Sequence, residues 1–127
     1  RPDFPYTGMC KIFRQHSIRY GFIERYPKGK ENITGIAHEP WHFRYVGYPH
    51  AAIMMEKDFC LEEYINFLKQ FRYGDAPYFW RTENSDIAIS YIAANGNDTQ
   101  FQIAEDISYS ISGNNVDGYI ITEWRQV

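Results

Sequence analysis

Cysteine is scarce in this sequence: Cys10 and Cys60 are the only two, and neither belongs to a C-x-x-C pair. Without that spacing the pattern predicts two free, buried thiols rather than a disulfide. Positive charge is thin as well. The net charge is −3 with no block of Lys or Arg, which argues against a nucleic-acid partner, because phosphate binding needs a concentrated positive face. No apolar run approaches the length of a membrane span, no signal peptide is visible, and repeats and low-complexity tracts are missing. What is plentiful is aromatic surface: eleven Tyr, nine Phe and three Trp, 18% of 127 residues. Such rings serve cores and binding grooves alike.

Periodicity predicts an α+β chain. Met9, Ile12, Phe13, His16 and Tyr20 recur at helical spacing before Gly21, a C-cap residue, giving a helix over about 8–20 with His16 as a core histidine. Phe22 to Tyr26 reads as a short strand, residues 27–32 as a polar turn, and Ile33 to Ala37 as the returning chain. Pro49 opens a short helix to about Met55, with His50 near its start. Leu61, Tyr64, Ile65, Leu68 and Arg72 mark a second amphipathic helix. Beyond Gly74 and Pro77 the pattern is all β: a hairpin signal at Asn95-Gly96-Asn97-Asp98, strands over 101–104, 107–111 and 119–124, and turns at Gly113-Asn114-Asn115 and Asp117-Gly118. The expected architecture is an antiparallel sheet with flanking helices over residues 1–74, followed by a small antiparallel β meander over 75–127. The meander reads as a lid or packing element before a recognition surface.

The chemistry concentrates in His38-Glu39-Pro40-Trp41-His42. These residues satisfy H-E-x-x-H, but that motif needs a helix to bring its two His onto one face. Pro40 disfavours helical geometry at Glu39 and has no N–H to donate. Trp41, Phe43 and Tyr45 then alternate with His42, Arg44 and Val46, the period of a strand. His38 is therefore expected in a loop or on the surface. Asn32-Ile33-Thr34 and Asn97-Asp98-Thr99 match glycosylation acceptors, with nothing to indicate a secretory route.

Glu39-Pro40-Trp41-His42-Phe43-Arg44-Tyr45-Val46-Gly47 resembles the second signature of the zinc D,D-carboxypeptidases and D,D-dipeptidases of vancomycin-resistant bacteria. The group also includes lysostaphin-type endopeptidases and the hedgehog signalling domain. The likeness extends through Tyr20–Pro27, Gly29-Lys30-Glu31, Gly47-Tyr48-Pro49-His50 and Leu61-Glu62-Glu63-Tyr64. Residues 111–118 look like the C-terminal extension of the bifunctional branch. By this resemblance Glu39 is the general base that takes a proton from zinc-bound water, and His42 is one of three zinc ligands. Trp41 reads first as core and second as a wall of the substrate pocket. The implied substrate is a peptide or dipeptide ending in D-Ala-D-Ala.

The resemblance also implies a His and an Asp ligand, expected upstream of Arg1, since Asp3 has no His at the required distance before it. A substitute set drawn from His16, His38 and His50 has no spacing to support it. The chain is thus expected to be the C-terminal portion of a longer enzyme, inactive alone, prone to self-association or to pairing with the missing segment. Arg44 is expected as an ion-pair partner. The compartment implied is the cytoplasm, with the cell envelope as the other choice. The alternative function is a shortened domain that binds peptidoglycan or protein without hydrolysis.

Overall fold

A computed structural model describes residues 2–96 and 102–126. The chain packs as two compact units, one ending at Tyr64 and the other beginning at Ile65. The α+β class is borne out: helices and a two-stranded antiparallel sheet form the first unit, and a four-stranded antiparallel sheet dominates the second.

In the first unit, α1 (Gly8–Ser17) runs into a 3-10 turn over Ile18–Tyr20. Gly21 ends it at φ 87°, returning its N–H to the Ile18 carbonyl, a cap that L side chains resist. A Cβ here would also lie 2.7 Å from the Gly47 Cα. That closeness lets the Gly21 carbonyl accept the N–H groups of Val46 and Gly47 at 2.7 and 3.0 Å. It ties the entry of β1 (Phe22–Tyr26) to the exit of β2 (Glu39–Tyr45).

Between the strands lies α2 (Glu31–Thr34), a single turn where a plain return was expected. Its cause is local: Glu31 accepts the Gly29 N–H at 3.1 Å, and Gly35 closes the turn at φ 76°. The face of α1 also differs from expectation. Met9 is 78% exposed, and Ile12, Phe13, His16 and Tyr20 are exposed with it. The inward stripe is Cys10, Arg14 and Ser17, a 4-then-3 spacing that is equally helical. His16 is therefore not a core histidine. Cys10 and Cys60 are both free, Cys10 half-buried and Cys60 buried.

Helices α3 (His50–Lys57) and α4 (Leu61–Leu68) follow. Ile23, Ala51, Ile53, Met54, Cys60 and Tyr64 are buried in this unit. The polar loop after β1 is fastened to the start of α4. Arg25 grips both Glu62 oxygens at 2.9 Å, and Lys30 Nζ lies 2.8 Å from Glu63, whose carboxylate also caps the Cys60 N–H at 2.9 Å. Lys30 and that cap hold the Glu63 carboxyl below its usual range. The helix stops short of Arg72 because the backbone at Phe71 and Tyr73 bonds Tyr91 instead, at 2.8 and 3.0 Å.

His50 is buried, with Nδ1 2.6 Å from the Tyr64 hydroxyl. Burial pushes its imidazole down to about 4 from 6.5. The unfolded chain therefore binds a proton that the folded chain refuses. The stability from neutral burial is complete above pH 6.5 and drains away as pH falls toward 4. From the size of that shift, the loss is on the order of 3 kcal/mol. Urea unfolding at pH 7 and pH 4.5 is expected to show a steeper loss in the native protein than in a His50→Gln variant. Equal losses would refute this assignment.

In the second unit the strand order is β3 (Tyr78–Arg81), β4 (Ser85–Ala93), β6 (Gly118–Gln126), β5 (Ser108–Gly113), with β6 inserted between β4 and β5. Ile87 to Ser90 are buried without alternation, as a central strand covered on both faces requires. The Asn114 side-chain oxygen Oδ1 accepts the N–H groups of Val116, Asp117 and Gly118 at 2.9 to 3.1 Å, building the turn into β6. Of the expected hairpin, Asn97 and Asp98 lie outside the described residues, as does residue 101 of the strand expected over 101–104; residues 102–104 are not strand.

Candidate active site

Strands β1 and β2 pair antiparallel, with Phe22 opposite Tyr45, Ile23 opposite Arg44 and Glu24 opposite Phe43; the next pair is Tyr26 opposite Glu39. Across that last step β1 advances two residues while β2 advances four. The surplus forms a bulge in β2, and bulges re-aim side chains. In a regular strand, residues three apart point to opposite faces. Here Glu39 Oε1 and His42 Nδ1 lie 3.0 Å apart. The Tyr26 ring meets the His42 ring edge-on at 5.2 Å.

The pair is accessible: the His42 side chain is 45% exposed and that of Glu39 29%. With Nδ1–H donating to the carboxylate, the lone pair of the ring resides on Nε2, which has no hydrogen-bond partner among the described residues. An ionised carboxylate in this position can accept a proton, and an imidazole so oriented can donate a nitrogen lone pair.

Trp41 is half-buried beside the pair. Arg44 is exposed; its Nε donates to the Tyr45 carbonyl at 3.2 Å, so the expected ion pair is replaced by a backbone contact. His38 lies in the loop before β2, as expected, but is half-buried, with Nε2 2.6 Å from the Tyr6 hydroxyl and 3.1 Å from Glu24 Oε1. His50 is engaged with Tyr64. The three remaining histidines therefore stand in separate surroundings.

Sequence reasoning missed Tyr26, although its place opposite Glu39 follows once β1 and β2 are paired as a hairpin. It also missed Tyr6, Arg14 and Glu24, whose contacts bridge long separations and leave no local signature.

Zinc needs three or four protein ligands. Among the described residues no group of three His, Cys, Asp or Glu side chains is placed to hold a metal. The donor set in hand is incomplete, with His42 as its one exposed, oriented imidazole.

The first unit thus carries a carboxylate and an imidazole in contact on one strand. Residues 1–48 match the family model described as VanY, D-alanyl-D-alanine carboxypeptidase. The chain is similar to members of the VanY/VanXY-like family. It is 43% identical over 112 residues to a D-alanyl-D-alanine carboxypeptidase of Enterococcus faecium, covering 88% of this chain and 35% of that protein. It is 48% identical over 69 residues to the bifunctional D-Ala-D-Ala dipeptidase and D-Ala-D-Ala carboxypeptidase VanXYC of Enterococcus gallinarum, covering 54% of this chain and 36% of the relative. Among solved structures it is similar to the vancomycin resistance D,D-dipeptidase VanXYg, crystallised with a D-Ala-D-Ala phosphinate analog. The TM-score is 0.93 and the identity 51%, over 98% of this chain and 50% of that one. The chain thus spans about a third of the length of those two curated relatives and half of the solved one.

Proposed function

We propose that this chain is a portion of a D,D-peptidase that hydrolyses the bond between two D-alanines, at the end of a peptidoglycan precursor or in the free dipeptide. The observation that carries the reading is the contact between Glu39 and His42 on β2, 3.0 Å apart. The shared fold with a D,D-dipeptidase that binds a D-Ala-D-Ala analog supports it.

In this reading the Glu39 carboxylate takes a proton from the attacking water and returns it to the departing amine of the terminal D-alanine. His42 contributes one zinc ligand, and the Glu39 contact fixes its ring. Trp41, half-buried on the same strand, is read as a wall of the substrate pocket. The remaining ligands, a His and an Asp, come from the part of the family fold that this chain does not span. When bound, zinc polarises the scissile carbonyl and lowers the pKa of water. Among the described residues no helix is long and apolar enough to cross a membrane, and the cytoplasm is the proposed compartment.

The incomplete donor set favours one other reading, a domain that binds peptidoglycan peptide without cutting it. The same assay separates them. The full-length protein, supplied with zinc, is expected to release D-alanine from D-Ala-D-Ala or from a pentapeptide ending in it, to spare L-Ala-L-Ala, and to stop when chelated. Binding of the pentapeptide without release would leave the non-catalytic reading.

A further inference from the structure

We propose that Arg14 is a positioning residue for Glu39, holding the short backbone segment on which that carboxylate stands. The inference rests on the reading of Glu39 as the base. Arg14 comes from α1, and its side chain is only 12% exposed. Nη2 donates to the Pro40 carbonyl at 2.7 Å and to the Phe4 carbonyl at 2.7 Å, while Nη1 lies 3.2 Å from Glu24 Oε1. The guanidinium carbon stands 3.8 Å from the centre of the Tyr6 ring, with the Phe4 and Phe43 rings at 4.8 and 5.5 Å. Three rings and two carbonyls leave it no freedom to turn.

The same Glu24 oxygen accepts the Tyr6 hydroxyl at 2.5 Å and lies 3.1 Å from His38 Nε2. Burial, then the neighbouring Glu24 carboxylate, push the Tyr6 phenol up to about 12. It stays protonated and donates its O–H hydrogen bond to Glu24, while His38 Nε2 lies 2.6 Å from the phenol oxygen. Glu39 sits between two fastened neighbours. His38 before it is tied to Glu24, and the carbonyl of Pro40 after it is tied to Arg14.

Pro40 has no N–H, so its carbonyl is the backbone handle available there. Reaching it has a cost: Arg14 Nε is buried without a hydrogen-bond partner among the described residues, while Nη1 meets Glu24 only as an ion pair. Leaving buried donors unsatisfied is unfavourable, and such departures from local optimisation gather at functional sites.

The test uses Arg14→Gln, Arg14→Lys and Tyr6→Phe in the full-length zinc enzyme, with rates expressed per folded, zinc-loaded molecule. Arg14→Gln is expected to lower kcat by about 100-fold, the scale of a displacement near 1 Å, with KM within about twofold. Arg14→Lys is expected to behave alike, because an ammonium cannot span the Pro40 and Phe4 carbonyls and Glu24 together. Tyr6→Phe removes the hydroxyl's contacts with Glu24 and His38 but leaves both Arg14 carbonyl bonds, and is expected to cost about threefold. Ring nitrogen-15 NMR of His42 in the metal-free protein gives a readout independent of turnover. The native signals are expected to report a proton on Nδ1, and those of the Arg14 variants a shift toward Nε2.

If kcat per folded molecule stays within about twofold, or if the His42 signals do not move, the proposal fails. Restored activity in Arg14→Lys would also overturn it, by showing that charge alone suffices. Should Arg14→Gln not fold, the Lys and Tyr6→Phe variants carry the test. If the native enzyme releases no D-alanine, the peptidase reading fails, and the His42 signals still decide whether Arg14 positions the pair.

Discussion

Replacing Glu39 by Gln is expected to lower kcat for D-Ala-D-Ala hydrolysis about 10²- to 10⁴-fold, the range a positioned general base supplies. Gln has nearly the volume of Glu, and its carbonyl oxygen can still accept the His42 Nδ1–H that Glu39 Oε1 accepts at 3.0 Å. The fold, the orientation of the His42 ring and the zinc content should therefore survive, and KM should stay within about twofold. What the amide cannot do is take a proton from water. The pattern of unchanged zinc with lost kcat separates the base from a metal ligand. If zinc leaves along with activity, Glu39 is a ligand and the proposed division of roles is wrong.

His42→Ala is expected to act on the other member of the pair. On the proposed reading it removes one of three ligands, so zinc affinity should fall at least about 100-fold, beyond the loss from disturbing an outer-shell partner alone. The native side chain is 45% exposed, and among the described residues its hydrogen-bond partner is Glu39. Its removal should therefore shift metal-free stability by no more than about 0.5 kcal/mol. Thermal melts make the contrast. Without metal the native and variant full-length proteins should melt together; with zinc the native protein alone should gain stability by mass action. A variant that still gains the same stability from zinc would remove His42 from the ligand set.

The strand that carries the candidate pair was legible in the sequence, because backbone chemistry decided it. Pro40 turned H-E-x-x-H away from a helix, and the alternation after it gave the strand that became β2. Gly21 announced the end of the helical run, where it caps the 3-10 turn that follows α1, and its φ of 87° shows why. Legibility failed where tertiary packing decided. The apolar spacing of Met9, Ile12, Phe13 and His16 named one face of α1, while the structure turns Cys10, Arg14 and Ser17 inward. Arg14 finds its partners ten and twenty-six residues away, at Phe4 and Pro40. Nothing local to residue 14 signals them.

His50 likewise looked unremarkable at a helix start, and its burial against Tyr64 depends on how α3 and α4 pack. The Glu39–His42 contact sits between these cases. Alternation alone assigns the two residues to opposite faces, and the extra residues of β2 across from Tyr26 bring them together. The insertion of β6 between β4 and β5 was beyond reach of the turn signals, which specify neighbours along the chain and say nothing of which strands pair.

The measurement that bears most directly on the central claim is a zinc-edge anomalous difference map from crystals of the full-length protein grown with zinc. The expected result is one strong peak at bonding distance from a His42 ring nitrogen, about 2.0–2.1 Å, with the Glu39 carboxylate close by but outside the coordination shell. A fully occupied zinc bound elsewhere, or bonded directly to Glu39, would contradict the account.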